Sequence, residues 1–231
     1  MVTYLSLIII KKEKKMKKIT IIFISALFTL TTSAFAAGLS AFDGGGMVGV
    51  KIGKGVLEAD SKSYVAGGTT YAAENGTKNS DFGTIFAELN VNDTPISVGL
   101  EYVPFDADVS LNGDASGASA NVGDYTTIYA LAMHESGFYA KLGYSMADIG
   151  TVKPNDGQTT INSNSDSLEG MVYGVGIQSK EMPFGLVWRA EYNYTEFDDI
   201  SVTTTSNGSA SVKKTAGADL STFTLSLAKS F

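Results

Sequence analysis

The sequence of 231 residues contains no cysteine, a single histidine and only four prolines. The absence of cysteine excludes a fold built on disulfides, and together with the single histidine it leaves transition-metal ligation without support. Beyond the N-terminal region the chain has no apolar run near the roughly 18 residues that a membrane helix needs, which argues against a helical membrane protein. Hydrophobic residues still make up 44% of the chain, which is typical of a folded domain.

The first 36 residues have the order of charge, apolar core and small residues that defines a secretory signal peptide. Two lysines precede an apolar core at residues 19–30, and a run of small and polar residues ends at Ala36. We therefore predict cleavage between Ala36 and Ala37, which leaves residues 37–231 as one mature domain. An uncleaved membrane anchor is the alternative interpretation.

A second short apolar run begins at Met1 and is followed by a lysine-rich stretch before Met16, so Met16 is an alternative start of translation.

The charge balance changes when the first 36 residues are removed. Residues 1–36 hold six lysines and one glutamate, and their removal leaves 11 basic and 23 acidic residues, a net charge of about −12. An acidic chain repels phosphate backbones, so nucleic acid is not expected as a partner.

From Asp43 onward, apolar residues alternate with small or polar residues in segments of about ten, which is typical of strands with one face in lipid. Eight such segments predict an all-β fold, an antiparallel up-and-down transmembrane β-barrel of eight strands. The residues expected to face outward are, segment by segment, Val48, Val50 and Ile52; Ile85, Ala87, Leu89 and Val91; Ile96, Val98, Leu100 and Tyr102; Tyr125, Thr127, Tyr129, Leu131 and Met133; Phe138, Ala140, Leu142, Tyr144 and Met146; Met171, Tyr173, Val175 and Ile177; Leu186, Trp188, Ala190, Tyr192 and Tyr194; and Phe223, Leu225, Leu227 and Phe231.

The predicted connections alternate between short and long, as they do in barrels with short periplasmic turns and long extracellular loops. Backbone groups in lipid must be hydrogen-bonded within the protein, and a closed cylinder of strands meets this condition. A soluble sandwich or lipocalin-like barrel is the alternative, with the apolar face inside. The short connections are expected at residues 92–95, 134–137 and 179–184, and the long ones at residues 58–80, 106–123, 149–167 and 198–219.

The chain ends in TFTLSLAKSF, in which Phe223, Leu225, Leu227 and Phe231 alternate with polar residues. With the signal peptide and the loop alternation, this run resembles the small eight-stranded outer-membrane proteins of the OmpA, OmpX and opacity-protein-like type. The resemblance implies an outer-membrane location among lipid and lipopolysaccharide, and an assembly signal read by the barrel assembly machinery. Lys229 departs from the usual assembly signal. No peptidoglycan-binding domain is expected after Phe231, and therefore no tether to the cell wall.

Outward aromatic residues near the segment ends are expected to form the interfacial girdles that anchor such barrels. These are Tyr102, Tyr125, Phe138, Tyr144, Trp188, Tyr194 and Phe231.

Six charged residues fall on the inward-facing positions of the predicted strands. An eight-stranded interior is just wide enough for side chains to fill, and unpaired charges there would be costly, so we expect them to pair. The resemblance to OmpA implies a lumen closed by such a network; a gate or a narrow ion path is the alternative. Arg189 is expected to bind Glu191 on the same strand and either Glu88 or Glu101 across the barrel. The six residues are Lys51, Glu88, Glu101, Lys141, Arg189 and Glu191.

Two further patterns bear on chemistry. His134 and Ser136 resemble the His-x-Ser pair of outer-membrane lipid A deacylases, but they fall at a predicted periplasmic turn, whereas those enzymes work at the outer leaflet. The run NSNSDS at residues 162–167 alternates like a calcium loop, yet Ser167 replaces the required glycine. We therefore predict no catalytic residue, metal or cofactor.

Three hypotheses follow for function. The leading one is a non-enzymatic envelope protein that supports outer-membrane integrity and displays polar loops, for adhesion or surface interaction with a ligand that the sequence does not identify. The second is a narrow channel for ions or very small solutes, and the third is a lipid-modifying enzyme.

Overall fold

The computed structural model describes residues 45–66, 68–105, 107–110, 112–113, 119–153, 162–163, 167–204 and 212–231. The predicted signal peptide and its cleavage site at Ala36 and Ala37 lie outside these residues. In the described part of the chain, no helix is long and apolar enough to cross a membrane. Eight long strands dominate the fold: β1 (Gly46–Ser61), β2 (Asn75–Asn90), β3 (Ile96–Tyr102), β4 (Ser119–Met133), β5 (Phe138–Lys153), β6 (Ser167–Gln178), β7 (Leu186–Thr204) and β8 (Val212–Ser230).

These eight strands form a closed antiparallel barrel. Each strand pairs with the next along the chain, and β1 pairs with β8 from Met47 opposite Ser230 to Ser61 opposite Ala216. The seam is completed by the chain end, because Gly46 N donates to Phe231 O at 3.1 Å and Phe231 N donates to Gly46 O at 3.0 Å. The predicted eight-stranded up-and-down barrel is confirmed.

The barrel has apolar residues outside and polar residues inside. On β1, Ile52 is 68% exposed on the outer face, whereas the neighbouring Lys51 is 3% exposed and faces the lumen. The same alternation places Val175 and Leu225 outside and Thr195 and other hydroxyl-bearing residues inside. This polarity is unfavourable in water and favourable in lipid. The protein is therefore a transmembrane barrel of the outer-membrane type.

The prediction for β4 is wrong, because the strand faces the opposite way. Tyr129 and Leu131, expected to contact lipid, are 3% and 2% exposed, and Ile128 is 51% exposed on the outer face. Both faces of β4 carry apolar residues, so the alternation alone cannot distinguish them. Hydrogen bonds decide the orientation: Tyr129 donates to Glu88 across the lumen at 3.1 Å, and Tyr125, expected in a girdle, lies 3.0 Å from Ser145 Oγ inside the barrel.

Most strands are longer than the alternation predicts, although β3 has only seven residues, and the short turns lie where they are expected. A membrane strand needs about 9–11 residues, and β7 and β8 have 19 residues each. Backbone ladders need no apolar side chains, so the wall continues with polar residues into regions predicted as loops. Short strands add to it: Ala107–Ser110 pairs with β4, Asn112–Gly113 with β2, and Asn162–Ser163 with β7.

Both described chain ends and the three short turns lie at one end of the barrel, and the long connections lie at the other. Short turns face the periplasm in barrels of this type, so we expect the long connections to lie outside the cell. Between β1 and β2, one long connection contains a hairpin of Tyr64–Ala66 paired with Thr69–Tyr71.

Candidate functional site

The six charged residues singled out in the sequence all lie buried inside the barrel. They come from five different strands, β1, β2, β3, β5 and β7, because the inward positions of a closed barrel all point toward the same axis. The charges form two groups, one of Arg189 with Glu88 and one of two lysines with two glutamates.

Arg189 of β7 binds Glu88 of β2 through two parallel hydrogen bonds. Its Nη1 and Nη2 atoms donate to Glu88 Oε2 and Oε1, each at 2.8 Å, and its Nε atom donates to Gln178 Oε1 at 2.6 Å. The fork of a guanidinium matches a carboxylate in this way, and the third bond fixes its plane. The expected partner Glu191 is not bound by Arg189 among the described residues. The Arg189 fork points across the lumen to Glu88, and the Glu191 carboxylate is bound by Lys51 and Lys141 instead.

The second group is a cluster of Lys51, Lys141, Glu101 and Glu191. Lys51 donates to Glu101 Oε1 and, at 2.8 Å, to Glu191 Oε1. Lys141 donates to the same two oxygen atoms, at 2.7 Å for Glu101 and 3.2 Å for Glu191. Each ammonium group is thus held between two carboxylates, and each carboxylate between two ammonium groups.

Neutral polar groups complete the coordination of the carboxylates. Tyr139 donates to Glu191 Oε2 at 2.8 Å, and Asn193 Nδ2 donates to Glu191 Oε1 at 2.9 Å. Buried charges are tolerated when they are both paired and hydrogen-bonded, and Glu191 meets both conditions.

Three aromatic rings pack against the cations. Lys51 Nζ lies 5.0 Å from the centre of the Phe86 ring, Lys141 Nζ lies 4.3 Å from that of Tyr129, and Arg189 Cζ lies 5.2 Å from that of Tyr139. These distances are within the range of cation–π attraction. The inward positions of Phe86 and Tyr139 follow from the strand alternation, but Tyr129 and Gln178 were missed as site residues. For Tyr129 the only available signal was a hydroxyl group that would need a partner if buried.

The two groups of charges divide the lumen. Toward the outside, Lys51, Glu101 and Lys141 form the floor of a cavity of about 160 Å³. Toward the periplasm, Glu88 and Arg189 face a vestibule of about 1180 Å³. With three positive and three negative side chains the network is formally neutral, so it can remain dry and ionised. The arrangement can act as a partition of the lumen.

The other candidate residues are placed as follows. His134 Nδ1 lies 2.9 Å from Ser136 Oγ and also accepts the Ser136 backbone N–H at 3.2 Å, within one exposed turn at the periplasmic end. This is local turn geometry, and a ring nitrogen already occupied by the backbone is poorly placed to activate the hydroxyl group. Within the described ranges, no group of three or more histidine, cysteine or acidic residues could hold a metal ion; residues 164–166 of the calcium-like run lie outside them.

The residues of the expected assembly signal lie on the outer face of β8. Phe223, Leu225, Leu227 and Phe231 are all exposed there. Lys229 lies on the same face, and its Nζ atom donates to the carbonyl oxygen of Phe184 in the last periplasmic turn. This bond gives the lysine a local role at the membrane edge.

Comparison with known proteins finds similar chains among solved structures. No protein-family model and no curated protein matches the chain. Among solved structures, the attachment invasion locus protein Ail of Yersinia pestis is similar with 16% identity and a TM-score of 0.42, covering 81% of this chain and 99% of its own. The outer-membrane protease OmpT of Escherichia coli is similar with 10% identity and a TM-score of 0.44, covering 84% and 99%. Neisserial surface protein A has 13% identity and a TM-score of 0.33, covering 75% and 95%.

Proposed function

We propose that the protein is a closed, non-enzymatic barrel that supports the outer membrane and displays a rigid extracellular hairpin for contact with surfaces outside the cell. The observation that carries this proposal is the construction of the hairpin between β1 and β2. Its two strands, Tyr64–Ala66 and Thr69–Tyr71, are fully paired, and the turn contains Gly68 at a φ of 81°.

The base of the hairpin is tied to the barrel wall. Ser61 N donates to Glu74 O at 2.8 Å, Glu74 N donates back to Ser61 Oγ at 3.0 Å, and Lys62 N donates to Thr215 O of β8 at 2.9 Å. The Lys62 ammonium group pairs with Asp199 of β7, and this hydrogen bond and charge raise the pKa of Lys62. The hairpin is therefore pre-organised, which lowers the entropy cost of binding.

The exposed surface of the hairpin is apolar and aromatic. The rings of Tyr64 and Tyr71 stack with centres 4.8 Å apart and planes 6° apart, and Val65 and Tyr71 are exposed. Tyrosine is enriched at binding surfaces because its ring is rigid and its hydroxyl group forms hydrogen bonds. An aromatic pair held outside the membrane, where lipid does not cover it, is a contact surface.

The structure of the lumen favours a closed barrel rather than a channel. Two layers of buried, paired charges separate the outer cavity from the periplasmic vestibule. An ion crossing this region would have to replace hydrogen bonds that are already satisfied.

We also propose that the apolar outer face contacts outer-membrane lipid and lipopolysaccharide, and that the barrel assembly machinery reads the outer face of β8.

The test compares adhesion of cells that express the wild type and Tyr64→Ser/Tyr71→Ser, on extracellular-matrix proteins and on host cells. The control is Lys54→Ser/Asp81→Ser, which removes an exposed ion pair of β1 and β2 away from the hairpin. We expect adhesion to fall for the tyrosine variant alone, at equal surface amounts measured by labelling of intact cells. Equal adhesion of all three proteins would contradict the proposal.

A further inference from the structure

The outer half of the lumen contains a cavity that lies above the charge network and apart from the hairpin. We propose that this cavity binds a small amphipathic carboxylate, with its apolar body inside the lumen and its carboxylate at the extracellular mouth. This is a second binding activity, separate from contact through the hairpin.

The wall of the cavity is a hydrophobic cluster, which is unusual for the inside of a membrane barrel, where polar residues are typical. Ala147, Leu168 and Phe197 are buried together, and Val122 and Leu220 pack against them. Phe197 also meets Tyr125 edge to face, with ring centres 6.5 Å apart. These residues come from β4, β5, β6, β7 and β8, so the apolar surface surrounds most of the lumen. An apolar wall of this kind favours an apolar occupant over ions and water.

The size of the cavity limits its occupant. Its volume is about 160 Å³, and an apolar cavity of about 150 Å³ is sufficient for benzene. A single ring or a chain of about six to eight carbons is therefore the expected body, by comparison with that volume. A phospholipid or lipid A, with two or more long acyl chains, does not fit.

The charges around the cavity favour an anion. Its charged lining residues are Lys51, Lys78, Lys141 and Glu101, three bases and one acid, in a chain with a net charge of −7. Lys51 and Lys141 are bound to glutamates of the network. Lys78 is different: it lies on the lumen face of β2, opposite Leu57 of β1, and is partly buried near the outer rim. Among the described residues it has no ion-pair partner.

Together these features specify both ends of the ligand. Among the described residues, the lysines at the floor of the cavity are paired with glutamates, so the partner for a head group is Lys78. The apolar body of the ligand would then lie between Lys78 and the charge network. A neutral solute would leave Lys78 without a counter-charge, and a cation would meet an excess of lysines. The ligand class is a medium-chain or single-ring carboxylate.

The experiment uses the full mature barrel in phospholipid nanodiscs and ¹³C-labelled octanoate as the probe. Binding is measured by calorimetry against empty nanodiscs, and its position by NMR contacts between the octanoate chain and the ring of Phe197 or the methyl groups of Leu168. Leu168→Trp should fill the cavity and abolish binding, and the smaller change Ala147→Leu, a second variant in case the first does not fold, should weaken it. Leu142→Trp, on the lipid face of β5, should bind as the wild type does.

The head group is tested separately. Lys78→Gln should weaken octanoate binding by about five- to tenfold, as expected for loss of a charge-assisted contact near the surface, and should leave octanol binding unchanged. Lys54→Gln, on the outer face of β1, should change neither. The proposal is overturned if octanoate contacts only lipid-facing residues, if Leu142→Trp reduces binding as much as Leu168→Trp does, or if octylammonium binds more tightly than octanoate. These results are independent of adhesion, so each proposal can fail alone.

Discussion

Removal of the Arg189 guanidinium should strongly destabilise the barrel. In Arg189→Ala, Glu88 loses both of its 2.8 Å charge-assisted hydrogen bonds and keeps one bond, from Tyr129 at 3.1 Å. Leaving one member of a buried ion pair without its partner typically costs about 3–5 kcal/mol. We place the expected loss near the lower end of this range, about 3 kcal/mol, because the tyrosine remains and the adjacent vestibule can admit water.

The assay is equilibrium unfolding in urea in lipid vesicles, followed by the fluorescence of Trp188, the only tryptophan, which lies on the lipid face. Two controls separate charge from packing. Glu88→Leu/Arg189→Met replaces the pair with apolar side chains and should recover most of the loss, since such replacements are often neutral or better. Lys54→Ala breaks an exposed ion pair at 3.3 Å and should cost less than about 1 kcal/mol.

Two results would refute this reasoning. If Arg189→Ala and Lys54→Ala unfold at the same urea concentration, the pair does not contribute as a buried ion pair. If the apolar double variant is as unstable as Arg189→Ala, the loss comes from packing and not from the unpaired carboxylate.

Three further predictions follow from the same structure. In Arg189→Ala the lysine–glutamate cluster still blocks the lumen, so we expect the conductance in planar bilayers to rise clearly only in the double variant Lys141→Ala/Arg189→Ala. The freed carboxylates should make that conductance selective for cations. A high conductance of the wild type would instead support a channel. A single cysteine at Thr70 should react with an impermeant reagent on intact cells and one at Thr94 should not, and the reverse pattern would invert the barrel. Deletion of Phe231 should reduce assembly in cells while leaving refolding in detergent intact, and normal insertion in cells would count against an assembly signal at the C-terminus.

The barrel itself could be predicted from the sequence because one physical rule governs it. Lipid outside and a narrow lumen inside impose the period-two alternation, and Val50, Lys51 and Ile52 display it without ambiguity. The rule fails where both faces carry apolar side chains, as in β4, where Ile128 and Tyr129 are equally suited to lipid. The hydrogen-bond partners of Tyr125 and Tyr129, which lie on other strands, show which face of β4 points inward.

The charged residues of the lumen could be predicted, but their pairing could not. Strand alternation places Arg189, Glu191 and Glu88 inside, and it favours Arg189 and Glu191, which are close in the chain, as partners. Which charges meet depends on the stagger between strands, which alternation within one strand does not define. The outer cavity could not be predicted for a related reason: Leu168 and Phe197 lie directly beside the predicted loops 149–167 and 198–219, where the alternation fades.

The pairing of β1 with β8 has a consequence for the insertion and folding of the protein. A chain delivered from its N-terminus leaves one edge of β1 without a partner until β8, the last strand, arrives. Until then, two open edges present backbone groups that lipid cannot satisfy and that invite pairing with other chains. The loss of β8 would therefore remove much more than one-eighth of the barrel, because it would open the entire cylinder. Quality control of this protein can depend on a single event, the meeting of its first and last strands.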